Sequence, residues 1–346
     1  MKLGTLTKFF ALFLIAAFAL PVPASAQETT PENPCGPPTY RTEVRPNSSE
    51  QPTVVSMGMR LLDLTEINDV DQTISVDFAV KMQWVDSRLA SFGGCNLPID
   101  QVWFPEMTMK NSGRMFERWP QAVNVEEGGA VTYLQRISGT FSSYHNLAEF
   151  PFDSQSTQLR FSPLHWSDKE LILRADAEFT GMEPILNISD WSVNSVEATE
   201  YIQRVEALEQ DRAGYELTIS AKRDVGFYIW KIIIPIALIV AMSWFVFWID
   251  PMHFGAQIGL SATSFLTMVA FIFATTNMLP KLGYVTTLDL YITGATGFVF
   301  LAMLQSLCSG FLSAQGHKGF ANKLDFFCRI VFPLIFLLFC LVIFLS

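Results

Sequence analysis

The feature that most constrains this chain is a set of four apolar segments in its last third. They lie at residues 226–249, 254–279, 286–312 and 324–345. A helix needs about 20 apolar residues to cross the hydrocarbon core of a bilayer, and each segment is long enough. Because backbone groups inside a bilayer must be hydrogen-bonded within the protein, we expect four membrane-spanning helices.

The part of the chain before these segments has a different character. It carries almost all of the charge, and the net charge of −10 lies mainly there. Short alternating stretches separated by turn residues predict strands at 73–84, 130–138, 156–162, 170–176 and 214–223. The fold class that we predict is membrane α+β, with an antiparallel β-sandwich over 27–223 and a four-helix transmembrane bundle over 224–346. An acidic surface argues against nucleic acid as a partner and favours cations.

Residues 1–26 are typical of an export signal. Lys2 and Lys8 precede an apolar run at 9–20, and Ala24-Ser25-Ala26 forms a small-residue cleavage site. An uncleaved anchor is the alternative, but the run is shorter than the ~20 residues that span a bilayer. We therefore expect a multi-pass protein of the plasma (inner) membrane, with the N-terminal domain and the C-terminus both outside.

The five cysteines do not indicate catalysis. Only Cys35 and Cys95 lie in the exported part, where a disulfide between them is one of two open alternatives. Cys308, Cys328 and Cys340 lie in or beside apolar segments. No metal-ligand spacing or nucleophile motif surrounds any cysteine or histidine, so we expect no enzyme activity, metal or cofactor.

Three short motifs occur in order in the exported part: "WVDSRL" at 84–89, "VWFPE" at 102–106 and "FPFDSQ" at 150–155. Pro235 follows shortly after "RDVGFY" in the first span. Together with the four spans, this set resembles the pentameric ligand-gated ion channels, the Cys-loop receptor superfamily, over nearly the whole mature chain. Residues 145–166 contain no cysteine, which points to a bacterial-type member without the Cys-loop cysteines.

This resemblance implies a homopentamer in a lipid bilayer that conducts monovalent ions, with the second span of each subunit lining the pore. Six residues of that span fall at spacings of four and three, on one face of a helix. They are Gly259, Thr263, Leu266, Ala270, Phe273 and Asn277. The alternative is that small and hydroxyl residues only allow close helix packing, a role that we expect for Ser261 and Ser264.

The resemblance also implies a junction between the sandwich and the membrane helices that couples ligand binding to opening. There we expect Asp153 to pair with Arg223, beside Pro151, beside Asp69 in the hairpin tip 66–71, and beside Pro280 in the connection 280–286. A structural ion pair without a part in gating is the alternative.

A ligand site between subunits is the third implication, with an aromatic cage that suits a cation. The candidate residues are Trp166, Tyr201, Tyr215, Tyr133 and Lys110. We expect Trp84 and Trp103 to be core residues. The agonist stays open among an amine, a carboxylate and protons.

Charge selectivity depends on the inner end of the second span. Gln257 stands where anion-selective relatives place an arginine, and no glutamate is present in "GAQIGL". With a neutral inner ring, the acidic outer domain favours cations. The alternatives are an anion-selective channel of the same family, a non-conducting four-span adhesion or sensor protein, and, last, a transporter.

Overall fold

The structure is a computed structural model that describes residues 35–48, 51–276 and 282–345. The predicted signal segment 1–26 lies outside the described residues, as do Asn277 and Pro280.

The exported part is a β-sandwich, as predicted. Its strands are β1 (Thr53–Asn68), β2 (Thr73–Val85), β3 (Asn96–Pro98), β4 (Met107–Met109), β5 (Ser112–Glu117), β6 (Ala122–Val125), β7 (Ala130–Ser142), β8 (Ser154–Pro163), β9 (Leu171–Ala175), β10 (Gly181–Met182), β11 (Trp191–Val205) and β12 (Gln210–Arg223). One sheet has the order β10-β1-β2-β7-β6-β3. In the same sheet, β5 also pairs with β7, and β9 also pairs with β1. The other has the order β11-β12-β8-β4.

The period-2 alternation of the strands builds the sandwich core. In β2, Ile74, Val76, Phe78 and Val80 are buried and occupy every second position along the strand. Trp84 and Trp103 are buried too, with ring centroids 5.8 Å apart, as predicted for core aromatics. The core therefore lies between the two sheets and fixes the loops at both ends of the sandwich.

The first motif and the two exported cysteines both have a structural role. Asp86 caps the short 3-10 helix Ser87–Phe92 by accepting a hydrogen bond from the Arg88 backbone, and it also pairs with the Arg88 guanidinium at 2.7 Å. Cys35 and Cys95 form a disulfide, the alternative that the sequence had left open.

The last third forms four long helices, which makes the chain a multi-pass membrane protein. They are α1 (Gly226–Trp248), α2 (Phe254–Thr275), α3 (Thr287–Ala314) and α4 (Lys318–Leu345). Helix α4 begins at Lys318 and so extends beyond the predicted apolar span 324–345 at its start. Its first turns carry Lys318 and Lys323 and so lack the apolar character by which a span is recognised.

Helix α1 is not regular along its length. Residues Ile229–Ile233 form a π-helical turn just before Pro235. Since proline lacks a backbone N–H and its ring crowds the preceding turn, a wider turn at this point relieves the clash.

Candidate functional site

The sandwich meets the helices through the β7–β8 loop, residues 143–153. Leu147 and Phe150 from this loop are buried among residues of α1, α2, α3 and α4. The backbone of Leu147 donates to the Tyr284 hydroxyl at 2.9 Å, and the Thr287 backbone donates to the Ala148 carbonyl at 2.9 Å. The loop is thereby bonded to the start of α3.

Arg223, the last residue of β12, lies at the centre of this junction. Its Nε and Nη2 donate to the two carboxylate oxygens of Asp153 at 2.8 and 3.1 Å, so the predicted contact is present and bidentate. Its Nη1 lies 2.8 Å from Oδ2 of Asp69, in the β1–β2 turn. The guanidinium also lies over the rings of Trp191 and Phe150, at 4.1 and 4.8 Å from their centroids.

The electrostatics of the junction favour full ionisation of Arg223 and Asp69. Burial alone would lower the pKa of Arg223, but its hydrogen bonds to Asp153 and Asp69 outweigh burial and raise that pKa above its ordinary value. Burial alone would raise the pKa of Asp69, but His145 and Arg223 outweigh it and lower that pKa. Pro151 is buried beside this network, following a cis peptide bond with Phe150.

Helix α2 presents two different faces. Gln257, Ser261, Ser264 and Met268 are buried against the rest of the bundle, and the Ser261 hydroxyl lies 2.9 Å from that of Ser306 on α3. The other face is exposed in the single subunit and carries the predicted stripe, namely Gly259, Thr263, Leu266, Ala270 and Phe273. Leu266 is 69% exposed and Phe273 is 74% exposed.

The exposed face of α2 differs in chemistry from that of α4. On α4 the exposed residues include Phe326, Ile330, Leu334 and Leu338, all large and apolar, as expected for contact with lipid. On α2 the face is mostly glycine, alanine and threonine, interrupted by Leu266 and Phe273. Small and hydroxyl residues leave room and hydrogen-bonding capacity, which lipid chains do not use.

Gln257 does not lie on that exposed face. It is 1% exposed, and its Nε2 donates to the Ile249 carbonyl at 3.0 Å, which holds the α1–α2 connection. The exposed residues at this end of α2 are Phe254, Gly255, Ala256 and Gly259, which carry no charge.

A cavity of about 680 Å³ opens on the sandwich and contains two of the predicted ligand residues, Trp166 and Tyr133. Phe104 also lines this cavity, with its ring 4.8 Å from that of Tyr133. Burial, with the charge of Glu117 acting in the same direction, raises the pKa of the Tyr133 hydroxyl to about 12, so this hydroxyl stays protonated at neutral pH.

The same cavity is acidic. Four carboxylates line it, those of Glu43, Asp100, Glu106 and Glu117. Among the described residues, no lysine or arginine lines this cavity. His165 at its rim lies 3.2 Å from Glu106. Aromatic faces and carboxylates together are suited to a cationic group, because both attract positive charge.

The other predicted ligand residues lie elsewhere. Tyr215 is fully buried in the core, and its hydroxyl lies 3.3 Å from that of Thr180, so it offers no surface to a ligand. Tyr201 lines a separate cavity of about 390 Å³ with Glu200 and Arg174. Lys110 lines a third, of about 480 Å³, with Arg160.

Sequence reasoning missed several junction residues. His145 and Trp191 were not predicted, and nor was Tyr228, whose ring lies 4.8 Å from Phe150. Only the alternation of Ser143, His145 and Leu147, all buried, signals that the loop has an inward face.

Comparison with known proteins gives two family matches. Residues 36–229 match the neurotransmitter-gated ion-channel ligand binding domain, and residues 232–318 match the neurotransmitter-gated ion-channel transmembrane region. The first match alone covers more than half of the chain.

Individual relatives come from bacteria and animals. The chain is 26% identical over 302 residues to a proton-gated ion channel of Gloeobacter violaceus, covering 85% of this chain and 83% of that protein. It is 26% identical over 279 residues to gamma-aminobutyric acid receptor subunit beta-4 of Gallus gallus and 24% identical over 283 residues to gamma-aminobutyric acid receptor subunit beta of Caenorhabditis elegans. Each animal alignment covers 77% of this chain, which spans 57% and 50% of the lengths of these two relatives.

The sandwich, the four helices and both matches point the same way. These matches are to channel proteins, which confirms the prediction of a non-enzymatic membrane protein. The chain belongs to the neurotransmitter-gated ion-channel family.

Proposed function

We propose that this chain is a subunit of a homopentameric ligand-gated channel, a bacterial-type member of the family without the Cys-loop cysteines. In this proposal residues 1–26 are removed on export, residues 27–223 bind the ligand outside the inner membrane, and residues 224–346 form the channel domain. Five copies of α2 surround the pore.

The observation that carries this proposal is the exposed face of α2. A face of glycine, alanine and threonine is poorly suited to lipid, whereas around a central axis it forms rings that an ion can pass. Leu266 and Phe273 then form apolar rings that exclude water when the pore is narrow. The Thr263 hydroxyl, which donates to the Gly259 carbonyl at 2.8 Å, lies in the inner half and offers an ion partial replacement for its water.

The ligand that fits the acidic aromatic cavity is a small amine. Support comes from Trp166, Tyr133 and Phe104 beside four carboxylates, without a lysine or arginine among the described lining residues. Lys110, the residue that favoured a carboxylate ligand, lines a different cavity. Protons are the second agonist candidate, favoured by the same carboxylates and by the similarity to a protein named as a proton-gated ion channel.

Coupling between ligand and pore passes, in this proposal, through Arg223. It continues directly from β12 toward α1 and holds both Asp153 in the β7–β8 loop and Asp69 in the β1–β2 turn. A change in the sandwich that moves β12 therefore moves two loops at once, and the β7–β8 loop is bonded to α3.

Conductance tests the proposal directly. The full chain is purified, its native mass is measured, and it is reconstituted into planar bilayers, to which small primary amines, then carboxylates, then pH steps are applied. We expect the mass of five subunits and a current that one of these agonists opens. A stable monomer, or bilayers that stay silent under all three, would exclude a channel and favour an adhesion or sensor protein.

A further inference from the structure

The junction contains a buried histidine that the proposed coupling route does not use. His145 is 1% exposed, and its Nδ1 lies 3.4 Å from Oδ1 of Asp69. Among the described residues, neither ring nitrogen has a hydrogen-bond partner of good geometry, and nor does Oδ1 of Asp69. Three buried polar atoms thus lack a full hydrogen bond, which is costly in a protein interior.

The position of the histidine is fixed by its backbone. Gln72 accepts a hydrogen bond from the His145 backbone at 2.7 Å on its side-chain oxygen, and its side-chain nitrogen donates to the Asp69 carbonyl at 2.8 Å. The same residue also accepts from the Ser143 backbone at 2.8 Å. The imidazole and the Asp69 carboxylate are therefore held beside each other by a common neighbour.

The charges around the histidine do not balance. Asp69 from the β1–β2 turn lies beside the imidazole. Asp69 in turn pairs with Arg223 at the end of β12, which also pairs with Asp153 at the end of the β7–β8 loop and interacts with Tyr228 of α1. One guanidinium lies among two carboxylates, which leaves one negative charge in excess. A buried unpaired charge is costly. A proton on this imidazole would restore neutrality and remove that cost.

We infer that His145 is a positioning residue of the junction that binds a proton and, through Asp69, fixes the β1–β2 turn against Arg223. An imidazolium pairs with the Asp69 carboxylate, whereas a neutral imidazole leaves Asp69 to Arg223 alone. The Arg223 guanidinium, 2.8 Å from Oδ2 of Asp69, favours a charged carboxylate across the range, about pH 5 to 8, in which imidazoles change charge. The effect on gating rests on the proposed function, while the contact itself does not.

A double-mutant cycle on the full purified chain tests the contact without any current. Apparent melting temperatures are measured by intrinsic fluorescence for the wild type, His145→Gln, Asp69→Asn and the double variant, at about pH 5 and about pH 8. At the lower pH we expect the two single shifts together to exceed the shift of the double variant, because the shared contact is lost only once. At the higher pH the shifts should add.

Two results would overturn the inference. Additive shifts at both pH values would mean that the imidazole only packs against its neighbours. Equal non-additivity at both pH values would mean that the contact is a hydrogen bond of the neutral imidazole. His145→Asn repeats the cycle if the glutamine variant does not fold. If both fail, Asp69→Asn alone must flatten the pH dependence of the wild-type melting temperature between about pH 5 and 8, and an unchanged profile would also overturn the inference.

A second experiment tests the role of His145 in channel current. Wild-type current should depend on external pH across this range, and His145→Gln should flatten that dependence, while His317→Gln, an exposed histidine in the α3–α4 turn, should leave it unchanged. Current with an unchanged pH profile in His145→Gln counts against the role of His145 in gating. Absence of any wild-type current counts against the proposed function instead, and the melting cycle then still decides on the contact.

Discussion

At the scale of single residues, Arg223 shows why one side chain cannot be replaced by a similar one. It donates to Asp153 through two nitrogens and to Asp69 through a third, and its flat guanidinium lies over Trp191. A lysine offers a point charge that cannot form this fork or stack in the same way. The arrangement therefore depends on arginine rather than on positive charge alone.

This geometry predicts strong coupling between Arg223 and Asp153. Arg223→Ala leaves buried carboxylates unpaired and should cost about 3–5 kcal/mol of stability. Asp153→Ala leaves Arg223 paired with Asp69 and should cost less, and the double variant should cost less than the sum of the two by about 0.5–3 kcal/mol. Arg223→Ala should be the more damaging, since it also frees Asp69. Unfolding of the purified chain and agonist-evoked current are the measurements.

A matched control for this cycle exists in the sheet. Arg136 and Asp77 form a similar bidentate pair, with a closest contact of 2.6 Å, but the Arg136 side chain is 43% exposed and the pair lies between β7 and β2. The corresponding cycle should show a coupling of about 1 kcal/mol or less and no change in gating. Equal effects for both pairs would mean that the junction pair has no special role.

The ligand cavity provides a second prediction at this scale. Loss of a cation–π contact costs about 0.5–2 kcal/mol, so Trp166→Ala should raise the amine concentration for half-maximal current by about two- to thirtyfold. Trp166→Phe should lose less, because it retains an aromatic face. Trp119, 39% exposed and not among the residues lining this cavity, is the control. An unchanged midpoint in Trp166→Ala would move the site elsewhere.

Residues differ in how far the sequence could predict them. The Asp153–Arg223 contact followed from a motif and from its place beside the first span. Tyr215, Leu217 and Ile219 occupy alternate positions of β12 and are all buried. The alternation therefore predicts a core position for Tyr215, which the interpretation as a ligand residue overlooked. His145 and Asp69 are 76 residues apart, and only the packing of two loops brings them together.

At the scale of secondary structure elements, the predicted fold class is confirmed, and its errors have physical causes. Helices α1 to α3 and strands β2, β7, β8, β9 and β12 followed from apolar length or from alternation. Strand β1 was missed, because shifts of register after Leu61 and Leu64 break its alternation. Helix α4 begins at Lys318, before the predicted span 324–345, because a helix can begin with charged turns outside the apolar region.

Helix α2 yields the third prediction. Leu266→Thr places a hydroxyl in the proposed apolar ring, which lowers the barrier to water and should produce leak current or greater agonist sensitivity. Leu338→Thr makes the same chemical change on α4, where the leucine is 61% exposed, against 69% for Leu266. The control should conduct like the wild type. Current that is unaltered in Leu266→Thr, or altered equally in both, would refute the assignment of Leu266 as a gate.

At the scale of the whole molecule, charge is divided between a neutral channel domain and an acidic outer domain. The exposed inner end of α2 has no charged residue, and Gln257 is buried against the Ile249 carbonyl, so it would not face an ion in the proposed pore. In the proposed pore, the exposed residues of α2 itself therefore supply no charge at that end. The full chain has a net charge of −10, and in the proposed pentamer a vestibule surrounded by the acidic domains would concentrate cations near the pore.

The last prediction follows from this division. In a sodium chloride gradient the reversal potential should move toward the sodium potential. Because the field acts from a distance, the preference should weaken as salt rises from about 0.1 M to about 1 M, where the screening length falls from about 10 Å to about 3 Å. A charged ring inside the pore would lose much less of its preference, because ions pass it at close range. A preference for sodium that does not weaken with salt would therefore place its source inside the pore, and a shift toward the chloride potential would overturn cation selectivity while leaving the channel itself in place.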